Sequence, residues 1–232
     1  MNAMAESFTQ RTEMLLGPGV ELLKSAAVAV FGLGGVGSWC AEALCRAGVG
    51  KMLICDGDCV SITNVNRQLC ALDSTVGLKK CGVVFRRLKS INPEIELVPV
   101  DRFIRPGDSL DFLRDYSYVA DCIDDVPAKL EIITFCKKSN IPIISAMGCG
   151  NRIYPEKLRI TDIYKTSGCP LARSVRAKLR KAGVDSLDVV FSDEAPLRPN
   201  GGTGPGSVSF VPSAAGLIMA GKIVRSICGI AP

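Results

Sequence analysis

The stretch Gly32-Leu33-Gly34-Gly35-Val36-Gly37 decides the fold. It directly follows an apolar run at residues 26–31, which predicts a buried strand, and it opens the helical pattern of residues 35–47. Glycines at this spacing let the backbone turn tightly and approach a phosphate or a ribose near the positive end of a helix. The stretch therefore predicts a nucleotide site at a strand–helix turn.

Strand and helix patterns alternate along the chain as far as residue 146. Further buried strands are predicted at residues 51–55, 95–100, 118–123 and 142–146, and helices at residues 77–90, 110–115 and 127–139. Continuous apolar strands joined by helices imply a mainly parallel sheet that is covered on both faces. We therefore predict an α/β fold of the Rossmann-like, doubly wound type, with helices on both faces and a C-terminal, substrate-facing extension.

The pattern changes after Gly148, and we divide the chain there into two parts of the same domain. Residues 1–148 are predicted to bind the nucleotide, and residues 149–232 to face the substrate. The second part is expected to contain a hairpin of residues 152–154 and 158–163, a basic helix at 169–183, strands at 187–191 and 207–211, a Pro- and Gly-rich loop at 193–206, and a last helix that Ser213 caps and that ends near Gly229.

The composition of the 232-residue chain limits the classes of function that it could have. Its eleven cysteines lie mostly in apolar runs, and no pair has CxxC spacing, so we expect reduced, buried thiols and no structural zinc site. Residues 1–10 lack a signal-peptide pattern, and the apolar stretch 208–224 is interrupted by Pro212 and Lys222, which predicts a cytoplasmic protein without a membrane partner. The chain has no histidine, so any proton transfer must use carboxylates, lysine, cysteine, substrate or water.

Taken alone, the glycine stretch is more typical of NAD or FAD binding than of ATP binding. Asp56 ends the next strand, roughly 20 residues on, where an acidic side chain can bind ribose hydroxyls. The segment that follows, residues 56–68, is unusually polar for a dehydrogenase crossover. It brings Asn64, Arg67 and Gln68 close together, and Arg67 offers both charge and a fork geometry for phosphate oxygens. This segment favours a triphosphate ligand.

Two more side chains are candidates for the same ligand. Lys80 stands early in the next predicted helix and adds a second positive charge. Asp124 lies at the carboxyl edge of the sheet, where an aspartate can hold Mg²⁺ against phosphates. Each feature has a plainer explanation, namely a solvated turn at residues 64–68, a surface lysine at Lys80 and a helix cap at Asp124. Their joint occurrence favours a binding site.

These motifs resemble, in order and spacing, those of the E1-like (ubiquitin-activating-type) adenylating superfamily. The matching segments are GLGGVGS at residues 32–38, D-x-D-x-V-x-x-x-N-x-N-R-Q at 56–68, G-x-x-K at 77–80 and DCIDD at 121–125. The resemblance implies an enzyme that binds ATP without a Walker loop. It also implies that a substrate carboxylate attacks the α-phosphate of ATP.

The resemblance further implies roles for single residues. The implied nucleotide-binding residues are Gly32, Gly34, Gly35, Gly37, Asp56, Asp58, Asn64, Arg67, Gln68, Lys80 and Arg11. Asp56 would hold the ribose, Asn64, Arg67 and Lys80 would contact phosphates, and Asp124 would bind Mg²⁺. Arg67, Lys80 and Asp124 are the implied catalytic residues. Arg67 and Arg11 would reach ATP from the other subunit of a homodimer. A monovalent cation, Na⁺ or K⁺, is a further implied cofactor.

Nearly the entire chain resembles one branch of the superfamily, the tRNA threonylcarbamoyladenosine dehydratases. The matching segments are residues 11–17, 37–39, 64–68, 91–93, 165–166, 170–172, 189–192 and 216–220. The branch implies a tRNA substrate whose anticodon stem-loop carries threonylcarbamoyladenosine beside the anticodon. ATP would adenylate the threonyl carboxylate, and ring closure by the carbamoyl group would release AMP, with a net loss of one water. A cysteine desulfurase or sulfur-acceptor system is an implied partner.

The sequence leaves several points open. Cys169 stands where this branch is expected to have an aspartate, which would orient a helix or bind substrate better than a thiol. The basic helix with Arg173, Arg176, Lys178, Arg180 and Lys181 fits contact with tRNA phosphates as well as a solvated face. A competing enzyme class is an adenylyltransferase that activates the C-terminal Gly-Gly of a sulfur-carrier protein. An NAD-binding redox protein and a catalytically silent tRNA-binding scaffold also compete.

Overall fold

The computed structural model describes residues 7–198, 200–201 and 204–231. Its helices are α1 (Gln10–Leu16), α2 (Gly19–Ser25), α3 (Gly37–Ala47), α4 (Lys80–Ile91), α5 (Val126–Lys138), α6 (Pro170–Lys181) and α7 (Phe210–Ile227). Its strands are β1 (Ala27–Phe31), β2 (Lys51–Cys55), β3 (Glu96–Val100), β4 (Tyr118–Asp121), β5 (Ile143–Ala146), β6 (Leu158–Asp162) and β7 (Asp188–Ser192). Single-turn 3₁₀ helices, among them Ile62–Asn64, connect several of these elements.

All seven strands form one sheet in the order β3-β2-β1-β4-β5-β7-β6. The pairs from β3 to β7 are parallel, and only β6 runs antiparallel, against β7. The predicted fold class, a doubly wound and mainly parallel α/β sheet, is confirmed. The strand order reverses between β1 and β4, which is where ligands bind in sheets of this type. Because β7 pairs with β5, the residues after Gly148 extend the same sheet.

Each face of the sheet is covered by a separate hydrophobic cluster. On one face α3 and α7 pack against each other and on the strands, with Leu44 and Met219 fully buried. On the other face α5 and α6 pack together, and their apolar sides bury Ile132, Val175 and Leu179. The four-residue spacing of Val175 and Leu179 places both on the inner side of α6, so its arginines and lysines face outward.

The structure corrects three predictions about the C-terminal part. The expected hairpin of residues 152–154 and 158–163 is wrong, because β6 pairs with β7 instead. The expected strand at residues 207–211 is also wrong, since α7 already begins at Phe210, and Ser213 lies within this helix instead of capping it. Pro212 is tolerated there because the N–H groups in the first turn of a helix have no intrahelical partners.

Helix α7 also bears on the membrane prediction. It is long and apolar enough to cross a membrane by length and composition, and no other helix in the described residues meets that test. It is continuous through both Pro212 and Lys222, contrary to the interruption expected from the sequence. However, Val211, Ala215, Met219 and Ile223 are all buried in the core, as in the central helix of a globular domain. Residues 1–6, which belong to the segment without a signal-peptide pattern, lie outside the described residues.

Candidate active site

An open cavity of about 1080 Å³ lies at the carboxyl ends of the parallel strands. Its walls come from the segments that follow β1, β2, β3, β4 and β5, together with the start of α6 and the residues before α7. Ten of the predicted nucleotide and metal residues line it: Gly32, Gly34, Gly35, Asp56, Asp58, Asn64, Arg67, Gln68, Lys80 and Asp124. Gly37 and Arg11 do not belong to the lining.

The glycine turn between β1 and α3 is shaped by close backbone contacts. Gly32 has a φ of +82°, and a Cβ there would lie 2.8 Å from the carbonyl oxygen of Cys122. A Cβ on Gly37 would lie only 1.7 Å from the carbonyl oxygen of Gly32. Gly37 is therefore required for the turn itself and for the start of α3, whereas Gly34 and Gly35 present backbone to the cavity.

Asp56 connects the glycine turn to the polar segment that follows β2. One carboxylate oxygen accepts a hydrogen bond from the backbone N–H of Leu33 at 2.7 Å, and the other from that of Asp58 at 2.8 Å. The two bonds fix the carboxylate at the cavity wall. A carboxylate oxygen can accept more than one hydrogen bond, so Asp56 retains capacity for a ligand hydroxyl.

Lys80 is a buried cation between two carboxylates. It is only 5% exposed, and its Nζ lies 2.8 Å from Asp58 Oδ2 and 3.8 Å from Asp56 Oδ2. The explanation as a surface lysine is therefore wrong. The ion pair with Asp58 holds the ammonium at the cavity wall. A phosphate oxygen bound in the cavity could compete with Asp58 for this ammonium.

The 3₁₀ turn after β2 orients Asn64 and Arg67. The side-chain oxygen of Asn64 accepts from the backbone N–H of Ser61 at 3.0 Å, which leaves the amide N–H₂ free to donate to a ligand. Nη1 of Arg67 donates to the Thr63 carbonyl and to Asn66 Oδ1, both at 2.9 Å. The turn is thus a hydrogen-bonded wall of the cavity, in which Asn64 and Arg67 are half-buried while Val65 and Asn66 are exposed.

Arg67 belongs to the cavity of its own chain. That Arg67 reaches ATP from a second subunit stays a prediction, and its place in this cavity favours instead a role in the site formed by its own glycine turn. A Cβ built on Gly35 would lie 3.4 Å from Arg67 Cγ. Arg11, in contrast, is exposed on α1 and away from this cavity.

Two adjacent aspartates at the start of α5 have different environments. Asp125 caps the helix, since its side chain accepts from the Ala128 N–H at 2.9 Å. Asp124 is exposed in the cavity and makes no hydrogen bond within the described part of the chain. The helix-cap explanation therefore applies to Asp125, and Asp124 is left free for a ligand.

The donor set near Asp124 suits one kind of metal ion. In the ranges that the structure describes, no group of three or more His, Cys, Asp or Glu side chains is arranged to hold a metal. Mg²⁺ needs no such group, because it is commonly held by one or two carboxylates, substrate phosphates and water. The residues present therefore fit Mg²⁺ that arrives with a nucleotide, with Asp124 as the protein ligand.

Sequence reasoning missed a buried polar cluster beneath the cavity. The Lys129 ammonium, fully buried, contacts Asp121 Oδ2 at 2.7 Å and donates to Ser145 Oγ and the Ala146 carbonyl at 3.0 Å each. It also missed Arg152, which is 2% exposed, lines the cavity and donates to backbone carbonyls. A lone lysine in an apolar helix was the only sequence signal for the first group.

Two of the thiols that line the cavity are Cys149, which is half-buried, and Cys169, which is buried. Burial raises the pKa of Cys149 to about 12, against a smaller opposing effect of Arg152. Cys169 is the N-cap residue of α6, and its sulfur accepts from the Ala172 N–H at 3.5 Å. The thiol thus takes the helix-orienting position expected for an aspartate. All eleven cysteines are free thiols, and seven of them are buried, as predicted.

Comparison with known proteins decides between the possible families. The sequence model of the ThiF family matches residues 10–232. The tRNA threonylcarbamoyladenosine dehydratase of Bacillus subtilis is 44% identical over 94% of this chain and 93% of its own length. The chain belongs to the ThiF family, in its tRNA threonylcarbamoyladenosine dehydratase branch.

Solved structures agree with this placement in the dehydratase branch. The Escherichia coli tRNA N6-threonylcarbamoyladenosine dehydratase in complex with AMP has a TM-score of 0.91 and 34% identity, covering 99% of this chain and 98% of that one. The same enzyme has been solved with ATP, with a TM-score of 0.90, 35% identity and coverage of 98% and 97%. The predicted resemblance, the enzyme class and ATP as the nucleotide are confirmed.

The sulfur-carrier activators match less of the chain. The molybdopterin-synthase adenylyltransferase of Salmonella typhimurium is 36% identical, but over only 55% of this chain and 51% of its own length. The dehydratases, in contrast, also match the C-terminal part. The dehydratase prediction is therefore favoured over the sulfur-carrier one.

Proposed function

We propose that this enzyme is an ATP-dependent tRNA threonylcarbamoyladenosine dehydratase. The observation that carries the proposal is the 44% identity to a dehydratase over nearly the full length of both chains. The threonyl carboxylate attacks the α-phosphate of ATP, forming an acyl-adenylate and releasing pyrophosphate. The carbamoyl group then attacks the activated carbonyl, closes the ring and releases AMP. The nucleoside thereby loses the elements of one water, which are taken up in AMP and pyrophosphate.

The residues that line the cavity have different roles in this reaction. Asp56 holds the ribose, while Asn64, Gln68, Arg67 and Lys80 contact the phosphates. Mg²⁺, when bound to Asp124, neutralises charge on the phosphates. These roles rest on the positions of the side chains in one cavity and on the free donors of Asn64 and Arg67.

Catalysis in this site needs positioning and charge neutralisation more than proton transfer. The chain has no histidine, and the attacking carboxylate needs no base to become a nucleophile. Lys80 and Arg67 compensate the negative charge that develops as pyrophosphate leaves. Residues 1–148 supply this chemistry, and residues 149–232 recognise the substrate.

We propose that the tRNA lies along α6, which begins at the cavity and has a basic side that faces outward. Arg173, Lys178 and Lys181 are exposed and form no ion pair within the described ranges. Arg176 instead donates to the Thr166 carbonyl and hydroxyl oxygens, and Arg180 lies over the Tyr164 ring. A phosphate backbone is the partner that such a free basic surface suits.

A homodimer is the proposed active unit, with Arg11 supplied to the partner's site. Two large apolar side chains near Arg11 support this, because Met14 is 83% exposed and Leu15 is 84% exposed on α1. A cytoplasmic location agrees with the reduced cysteines. The monovalent cation and the sulfur-acceptor partner are proposed from the family resemblance alone.

The decisive experiment incubates the enzyme with ATP and Mg²⁺ and with one of three substrates at a time. Threonylcarbamoyladenosine-containing tRNA, an unmodified transcript and a Gly-Gly carrier protein are compared as substrates. We expect AMP release only with the modified tRNA, and nucleoside mass spectrometry under mild conditions should detect the loss of one water. Adenylation of the carrier with no mass change in the tRNA would instead establish the sulfur-carrier function.

A further inference from the structure

We propose that Arg152 forms an anion subsite that binds the threonyl carboxylate of the substrate before it is adenylated. This inference rests on the proposed function and names the residue that receives the reacting group. Arg152 lies in the loop after β5, which is the C-terminal wall of the cavity. No residue of the nucleotide motifs has this task, because those residues line the phosphate and ribose side.

Arg152 carries a buried charge without a carboxylate partner. The residue is 2% exposed, and Nε donates to the Gly148 carbonyl at 3.0 Å while Nη1 donates to the Glu194 carbonyl. No ion pair of Arg152 occurs within residues 7–198, 200–201 and 204–231. The nearby Glu194 carboxylate is occupied by the backbone N–H groups of Ile153 and Tyr154, at 3.0 and 3.1 Å.

A buried arginine charge raises the free energy of the folded protein unless an anion pairs with it. Burying an ion without a counter-ion is strongly unfavourable, even after the surroundings relax. Nη2 makes no hydrogen bond with the described residues. The cavity that Arg152 lines is the space in which an anion could pair with the guanidinium.

The loop around Arg152 is held in place before any ligand binds. Asn151 has a left-handed φ of +59°, and its side-chain oxygen accepts from the Gly206 N–H at 2.6 Å. Its backbone N–H donates to the Gly206 carbonyl at 2.8 Å, and its carbonyl accepts from the Leu197 N–H at 2.7 Å. A guanidinium fixed in this way can hold a carboxylate in its planar fork with little loss of entropy.

Strand order places Arg152 on the correct side of the reaction centre. The glycine turn follows β1, Asp124 follows β4 and Arg152 follows β5, and β4 lies between the other two strands. Arg152 is thus beyond Asp124 as seen from the glycine turn. Leu171, at the start of the proposed tRNA-facing helix α6, lines the same wall. A carboxylate held by Arg152 would approach the nucleotide from the substrate side.

The test compares two forms of one ligand on four proteins. An anticodon stem-loop carrying threonylcarbamoyladenosine is prepared as the free acid and as the carboxamide, which lacks the negative charge. Binding to wild type, Arg152→Met, Arg152→Lys and the matched control Arg159→Met is measured by fluorescence anisotropy at fixed salt. Arg159 is an exposed arginine of β6 that pairs with Asp193 and lies outside the cavity lining.

We expect wild type to prefer the acid over the amide by about ten- to a hundredfold, as for one charge-assisted bidentate contact. Arg152→Met should bind both forms equally, Arg152→Lys should retain part of the preference, and Arg159→Met should behave as wild type. Equal binding of acid and amide by wild type would overturn the proposal, whatever the variants do.

Two further outcomes are distinguishable. If Arg152→Met weakens both forms by the same factor, the arginine contacts a tRNA phosphate and the carboxylate subsite is wrong. If wild type releases no AMP with the free acid, the proposed function itself fails. Thermal unfolding of each variant establishes that it is folded, and the acid–amide comparison on wild type requires no variant at all.

Discussion

Lys129 and Asp121 form an ion pair of 2.7 Å in which both side chains are fully buried beneath the cavity. The pair joins the ends of two neighbouring strands, because Asp121 closes β4 and Lys129 also bonds to Ser145 and Ala146 of β5. Asp121 Oδ1 accepts from the Ile123 N–H at 3.2 Å, which fixes the short segment that leads to Asp124. The pair thus supports from below the segment that carries Asp124.

The first prediction concerns the stability of this pair. Lys129→Met should lower the free energy of unfolding by about 3–5 kcal/mol, since it leaves a buried carboxylate without its counter-ion. The double variant Asp121→Leu/Lys129→Met should recover most of that loss, because no buried charge remains. Urea unfolding followed by circular dichroism measures both. If the single and double variants are equally unstable, the pair acts through packing and not through charge.

The second prediction separates the neighbouring aspartates. Asp124→Ala should slow adenylation by about a hundredfold, the usual loss when one electrostatic contact to the transition state is removed. Asp125→Ala is the matched control, and it should instead cost about 1 kcal/mol of stability through the lost helix cap, with little change in rate. AMP release and thermal unfolding are measured on both. A reversed pattern would transfer the metal role to Asp125.

The third prediction tests which arginine crosses the subunit interface. When Arg11→Ala and Asp124→Ala chains are mixed, one site of each heterodimer keeps Asp124 and receives Arg11 from the partner, so activity should return. A mixture of Arg67→Ala and Asp124→Ala also leaves one chain of each heterodimer with an intact Arg67 and the other with an intact Asp124. It should stay inactive, because both residues line the cavity of one chain. Recovery in the second mixture alone would place Arg67 in the partner's site. Native mass spectrometry verifies subunit exchange.

The fourth prediction distinguishes the thiols by their reactivity with iodoacetamide. Cys59 is exposed at the cavity, so it should be alkylated first and be protected by ATP. Cys149, whose pKa is raised to about 12 by burial, holds about one thiolate in ten thousand molecules at pH 8. Its alkylation should therefore rise with pH without levelling off below about pH 11. A plateau near neutral pH would reveal an activated thiol.

Much of the fold and the nucleotide side of the site could be predicted from the sequence. Buried parallel strands are continuous apolar runs in the sequence. Few other structures need glycines at the spacing found in the turn after β1. The last helix was placed too late because Pro212 indicates a break, although it is harmless in a first turn. The subunit whose site Arg67 serves cannot be predicted from the residues, because one sequence carries no information on which copy of a chain a side chain faces.

The substrate side was the least predictable part. Arg152 and Lys129 are ordinary cations in the sequence, and only the folded chain reveals that both are buried. Their burial depends on contacts with residues far along the chain, such as Glu194 for Arg152 and Ser145 for Lys129. Such contacts between remote residues leave no local periodicity or motif.

The packing of α7 on α3 has a consequence for how the chain must fold during synthesis. The apolar side of α3, which includes Leu44, is covered by residues such as Met219, which are translated only after all seven strands. At about 5–20 residues per second, roughly ten to forty seconds separate the two helices on the ribosome. During that interval the nascent sheet exposes the apolar layer that α7 later covers. Chaperone dependence should therefore end only when α7 emerges.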